Sequence, residues 1–230
     1  MYCRRAKHIC LDTNYLRGRL GKTLRELDRV AYDRFFAPRQ TTGPSGFRDA
    51  PRPFVIRIAE ANVADVHLFH LQAPIDLIQA AFDAERMESP GQLRLPLESA
   101  HQASRIRVRF LTPTELKGAD GPEFGALFAR VRDRISTLRA LYQGGPIDVD
   151  FKAMGERAAR VRMTRCEIEH VTAERTSRAT GQTHPLGGFM GLAEYEGDLG
   201  EFLPYLEIAR WTGVGRQMVW GKGEIVCEVF

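Results

Sequence analysis

Gly213, Gly215, Gly221 and Gly223 follow a G-x-G-x-x-x-x-x-G-x-G pattern inside WTGVGRQMVWGKGEIVCEVF, Trp211 to Phe230, with Arg216 and Lys222 among them. Glycine admits positive φ and the close approach of another backbone. Amides freed in this way can cradle phosphate oxygens, and the two cations would add charge. A tight structural turn would use the same residues. The pattern is not a dinucleotide fingerprint, which needs a strand before it and a helix after it. It is not a Walker loop either, because no G-K-[ST] is present. A second candidate is Arg105, Arg107 and Arg109, alternating with Ile106, Val108 and Phe110. Period two places three guanidiniums on one face of a strand. That stripe either meets a polyanion on an open sheet face or is sealed by carboxylates at a domain interface. The third candidate is the pair His170 and His184, which flank a polar run bearing Arg175 and Arg178. Histidine beside arginine can move a proton while the cation holds developing negative charge. The remaining histidines are less promising: His67 and His70 fall in a half-buried strand pattern, His101 in a link and His8 in an irregular N-terminus.

These residues must be positioned by elements, and the elements come in two blocks. In the first, Leu16, Leu20, Leu24, Leu27, Val30 and Ala31 recur at helical steps up to Phe36–Pro38, with Arg17, Lys22, Arg25 and Arg29 off the stripe. A short strand over Lys7–Leu11 precedes it, weakly marked. Strands follow at Phe54–Ile58 and Val63–Leu71, then a helix over Pro74–Met87, then an edge strand in which Leu93, Leu95 and Leu97 alternate with Gln92, Arg94 and Pro96. The second block opens with the arginine-bearing strand. A long helix is predicted from Phe124, Leu127, Phe128, Val131, Ile135, Leu138 and Leu141, ended by Gly144-Gly145-Pro146. Residues 146–160 read as a loop. The strand Val161–Val171 changes phase, which a bulge near Thr164–Arg165 reconciles. ERTSRATGQT reads as a hairpin tip, Leu186–Tyr195 as a strand, and Phe202, Leu203, Leu206 and Ala209 as a short helix before the glycine stretch and the last strand.

Each block reads βαββαβ. The fold class predicted is therefore α+β: tandem ferredoxin-like (RRM-like) domains with antiparallel sheets and a C-terminal glycine-rich loop. Residues 1–101 form the N-terminal domain, its first strand doubtful as in an N-terminally shortened chain, and residues 102–230 the C-terminal one. The formal net charge is only +4, from 33 Lys+Arg against 29 Asp+Glu. Its distribution is uneven, however: residues 1–60 hold 13 Lys/Arg and 6 Asp/Glu, an excess of 13 − 6 = +7. Arginine dominates, and its planar fork suits phosphate and base stacking, so a polyanion partner is expected. No apolar run approaches the length of a membrane span. The four cysteines show no C-x-x-C spacing, and Cys3, His8 and Cys10 lack an evident fourth ligand. A reduced, cytoplasmic protein without metal or cofactor is expected.

With these residues in view, FLTPTELKG from Phe110, RVRDRISTLRALYQ, RTSRATGQTHPLGGFMG and LPYLEIARWTGVGRQMVWGKGEI resemble the C-terminal domain of the CRISPR repeat-RNA processing endoribonucleases, members of the RAMP superfamily. LRGRLG, Tyr32-x-x-Phe35-Phe36 and DAPRPFVIR are similar to that family's N-terminal half. The resemblance implies repeat-RNA (crRNA) binding, with Gly213, Gly215, Gly221 and Gly223 helping to hold the RNA backbone, and other CRISPR effector subunits as partners. It also implies metal-independent cleavage, in which the ribose 2′-hydroxyl attacks the adjacent phosphate and leaves a cyclic phosphate and a 5′-hydroxyl. Members often place a catalytic histidine in or just after the first helix. Leu16 to Pro53 holds none, and Tyr32, a phenol and so a poor base, is the nearest candidate. Two further readings stand beside endonucleolytic processing: a non-cleaving RNA-binding scaffold of the same fold, and a phosphate-ligand enzyme using the glycine loop.

Overall fold

Apolar periodicity in the first ninety residues resolves into one helical layer on one sheet. The computed structural model describes residues 2–5, 12–38, 50–60, 63–82, 91–97, 102–172, 174–176, 183–185 and 187–230. By contact the chain divides into two units. Unit 1 holds Met1–Arg94, Ser136–Ile147 and Val219–Gly221, and unit 2 holds Leu95–Ile135, Asp148–Met218 and Lys222–Phe230.

In unit 1, strands β1 (Tyr2–Arg5), β2 (Phe54–Glu60) and β3 (Val63–Leu68) form an antiparallel sheet in the order β1-β3-β2. Helix α1 (Thr13–Leu27) starts where the Asp12 carboxylate accepts from the Asn14 amide, and it buries Leu16, Leu20 and Leu24. A helical turn, α2 (Arg29–Ala31), and a π-helical turn, Tyr32–Phe36, continue it, burying Phe35 and Phe36. Helix α3 (Ile75–Ala81) adds Ile78 and Ala81 to the same core, with Phe82 just beyond it. Phe54, Ile56, Ala64 and Val66 supply the sheet side.

One expectation needs correction here. Leu93–Leu97 is not a strand: the segment is irregular and Leu93 is exposed. Pro96 has no amide to give a ladder, and leucines on one parity stabilise a strand only if a face is there to receive them. The first strand falls at Tyr2–Arg5, pairing with β3, and Lys7–Leu11 lies outside the described residues.

Unit 2 is the complete version of the same order. Strands β4 (Arg105–Thr114), β5 (Arg162–Val171), β8 (Gly188–Glu196) and β9 (Ile225–Val229) pair antiparallel as β5-β8-β4-β9. Counted along the chain this is 2-3-1-4, and unit 1 shows the 1-3-2 part of it. The fold is thus a tandem of ferredoxin-like α+β units. Helix α4 (Phe124–Tyr142) buries Phe124, Leu127, Phe128 and Val131, and helix α6 (Leu203–Thr212) buries Leu203, Leu206 and Ala209. Phe128 meets Phe202 and Tyr205 edge to face. The phase change in β5 is a register shift between Met163 and Arg165, as its alternation predicts. The predicted hairpin is present, with β6 (Glu174–Thr176) paired to β7 (Thr183–Pro185). The expected loop at 146–160 instead contains helix α5 (Phe151–Ala158), capped by Asp150 through the Ala153 amide at 3.0 Å and burying Met154 and Ala158.

Candidate nucleic-acid interface

Two glycines on the polar side of α1 open a groove. Gly18 and Gly21 stand one turn apart and leave no side chain there. A β-carbon at Gly21 would lie 2.5 Å from Phe36 Cζ, so its absence lets that ring lie on the helix. The result is a cleft of about 540 Å³, lined by Arg17, Lys22 and Arg25 from α1 and by Tyr32 and Phe36 from the π-helical turn. Among the described residues three cations face one lining carboxylate, Glu26, which meets Lys22 at 3.9 Å with both side chains largely exposed. Such a contact neutralises little. The Arg17 guanidinium lies 4.8 Å from the Phe36 ring centroid and 5.5 Å from that of Trp220. Tyr32 stacks on Phe36 at 5.3 Å and carries the Arg29 guanidinium at 5.1 Å. This arrangement of planar cations, a hydroxyl and aromatic faces can hold phosphate oxygens and stack a base. Sequence reasoning noted these cations only as lying off the apolar stripe; the signal for the groove was Gly18 and Gly21 on their side of the helix. A π-helical insertion is itself often found at functional sites.

The glycine-rich stretch presents a different picture. In unit 2, Gly213 ends α6 with its amide on the Ala209 carbonyl. Val214 donates to the Gly223 carbonyl at 2.9 Å, Gly223 to the Pro113 carbonyl at 3.1 Å, and Arg216 to the Glu115 carbonyl at 3.1 Å. Gly215 and Gly223 take φ of 85° and 69°, and β-carbons there would strike the Glu115 and Val214 carbonyl oxygens. The close approach these glycines permit is therefore to the chain's own backbone, and the Gly223 and Arg216 amides serve Pro113 and Glu115 at the end of β4. The Arg216 side chain is exposed and pairs with Glu115 at 2.6 Å. Lys222 is half-buried, with no carboxylate partner among the described residues, and burial lowers its pKa below the ordinary lysine value.

The stripe of Arg105, Arg107 and Arg109 is set in a ladder of carboxylates from its own sheet. Arg107 donates to Glu194 at 2.6 and 3.0 Å and reaches Glu228 at 3.8 Å, Arg109 reaches Glu228 at 3.8 Å, and Arg105 reaches Glu196 at 3.5 Å. The hydrogen bond from Arg107 is the main cause holding the Glu194 carboxyl below the usual carboxylate range. His170 is exposed on β5, its ring edge-on to Phe189 at 6.4 Å. Arg175 and His184 are direct cross-strand partners in the β6–β7 hairpin. Arg178 lies outside the described residues. His67 is buried. His70 accepts the Gln72 amide on Nδ1 at 2.9 Å, which leaves the proton of its neutral form on Nε2, and burial followed by the Arg34 charge lowers its pKa. Among the described residues no group of three or more His, Cys, Asp or Glu is placed to hold a metal.

Residues 108–225 match the sequence profile of the CRISPR-associated endoribonuclease Cas6, a little over half of the chain. The chain belongs to the Cas6 family. Its fold is similar to that of Thermus thermophilus Cas6 (TTHB231) in a product complex, with TM-score 0.66 and 14% identity over 99% of this chain and 98% of that one. It is also similar to the Cas6 (TTHA0078) product complex, with TM-score 0.63 and 17% identity over 99% of this chain and 100% of that one. A chain of the partial Cas6-RT-Cas1–Cas2 complex matches at TM-score 0.57 and 11% identity, over 100% of this chain and 45% of that one. At these identities the likeness is one of fold. No curated protein sequence matches. No helix among the described residues is long and apolar enough to cross a membrane.

Proposed function

We infer that this Cas6-family chain binds the repeat RNA of a CRISPR transcript and cuts it without a metal ion. The observation that carries this reading is the cleft on α1, where Arg17, Lys22 and Arg25 converge with Tyr32. In the reaction the ribose 2′-oxygen bonds to the adjacent phosphorus while the bond from phosphorus to the 5′-oxygen breaks. The 2′-proton passes to a base and the leaving oxygen takes one from an acid, giving a cyclic phosphate and a 5′-hydroxyl. Negative charge grows on the non-bridging oxygens, and guanidiniums already fixed in place stabilise it without reorganising. Arg17, Lys22 and Arg25 supply that charge in the cleft, and Tyr32 supplies a hydroxyl for the attacking or leaving oxygen. His170 and His184 are the candidates for histidine acid–base chemistry. Within unit 2, Lys222 and the exposed guanidiniums of Arg105, Arg109 and Arg216 are further candidates for contacts with the RNA backbone. The product and substrate-mimic complexes of the similar Cas6 structures support repeat RNA as the partner, and the Cas6-RT-Cas1–Cas2 complex supports a place beside other CRISPR proteins.

The test is to incubate the protein with a repeat hairpin in EDTA and analyse the ends of the products. The expected result is a cut leaving a 2′,3′-cyclic phosphate; no cut with RNA still bound leaves the scaffold reading. One observation favours that second reading: among the described residues, none of those lining the cleft is a histidine. Failure to shift the RNA even at low salt, where backbone contacts are strongest, overturns both.

A further inference from the structure

Residues Val219–Gly221 belong by contact to unit 1, whereas the glycine-stretch residues on either side belong to unit 2. Three independent contacts fix them there. Val219 packs against the core built on Leu16, Leu20 and Leu24. Thr13 Oγ1 donates to the Trp220 carbonyl at 3.0 Å. Gly221 sits so close that a β-carbon would lie 2.8 Å from Thr13 Cγ2. This anchoring brings the Trp220 ring to the Arg17 guanidinium, which also lies over the Phe36 ring. Arg17 lines the cleft; Trp220 is not among its lining residues.

We propose that Trp220 is a positioning residue for cleavage: it holds the Arg17 guanidinium in the orientation in which it meets the scissile phosphate. Through this residue the glycine-rich stretch contributes to the chemistry by way of an aromatic ring. This rests on the cleft being where RNA is cut. A guanidinium on a flexible stem has many rotamers, and charge stabilisation depends on few of them. Contact with two rings narrows that choice at little cost in charge, because the quadrupole of each face favours the cation.

The experiment is a double-mutant cycle on single-turnover cleavage at saturating RNA, using R17A, W220A, W220F and the R17A/W220A pair. Trp220→Ala should slow cleavage about tenfold, the order of one cation–π contact. RNA affinity should change far less, and Trp220→Phe should restore most of the rate. In the Arg17→Ala background Trp220→Ala should change nothing further. Multiplying effects of the two single substitutions, or a Phe variant as slow as the Ala variant, overturns the proposal. If the wild-type protein does not cut at all, the proposed function falls, and the contact itself is read by NMR. The Arg17 Nε–H signal should be ring-shifted in wild type and in Trp220→Phe and move in Trp220→Ala; an unmoved signal overturns the positioning role.

Discussion

Lys222 and Arg216 show how the same charge differs by environment. Both lie in the glycine-rich stretch, but the Arg216 guanidinium is engaged by Glu115 at 2.6 Å, whereas Lys222 is half-buried with its charged form disfavoured. A phosphate beside Lys222 would relieve a desolvation already incurred, whereas one beside Arg216 must compete with a carboxylate. Lys222→Ala should therefore weaken RNA binding and reduce the slope of log affinity against log salt by about 0.7–0.9, one phosphate contact. Arg216→Ala should do less. An unchanged slope in Lys222→Ala would remove that residue from the interface. His70 gives a second prediction. Its folded-state pKa lies below the ordinary histidine value near 6.5. The unfolded chain therefore binds the proton more readily as pH falls through that value, and stability present above it is lost below it. Thermal unfolding followed from pH 7.5 to 5 should show a smaller drop in Tm for His70→Gln than for wild type; identical profiles would contradict the assignment.

At the scale of elements, the glycine-rich stretch is first a structural turn. Gly223 combines a φ of 69° with a position where a β-carbon would strike the Val214 carbonyl. Gly223→Ala should cost on the order of 2–4 kcal/mol, strain plus steric overlap, measurable by chemical denaturation. A loss below about 0.5 kcal/mol, the range of an ordinary surface substitution, would mean that the stretch adjusts freely. Elements with strong periodicity were legible from the sequence. The Phe124–Leu138 stripe of α4, the bulge in β5 and the hairpin around ERTSRATGQT all follow from local pattern. Helix α5 was missed because its buried positions, Met154 and Ala158, make too short a stripe, although Asp150 was readable as its cap. Leu93–Leu97 has the alternation of a strand, but alternation alone does not reveal whether a neighbouring strand exists. The cleft was hidden for a related reason. Arg17, Lys22 and Arg25 lie off the apolar stripe in the sequence, and it takes Gly18, Gly21 and the fold-back of Tyr32 and Phe36 to turn that face into a groove.

For the whole molecule, the fold alone does not say where chemistry occurs. The sheet face of unit 2 carries Arg105, Arg107 and Arg109, yet Glu194, Glu196 and Glu228 stand among them. In unit 1 the α1 cleft gathers Arg17, Lys22 and Arg25 along one wall, in the part of the chain where residues 1–60 carry an excess of 13 − 6 = +7. Charge stabilisation of a phosphoryl transition state should therefore depend on the cleft far more than on the ladder. The most direct test is single-turnover cutting of a repeat hairpin, in EDTA and at saturating RNA, by wild type and by the triple variant R17A/K22A/R25A. Wild type should cut to a cyclic phosphate and the triple variant should be slower by about a thousandfold, the order of one to two lost charge-stabilising contacts. A triple variant that binds and cuts like wild type would contradict the account.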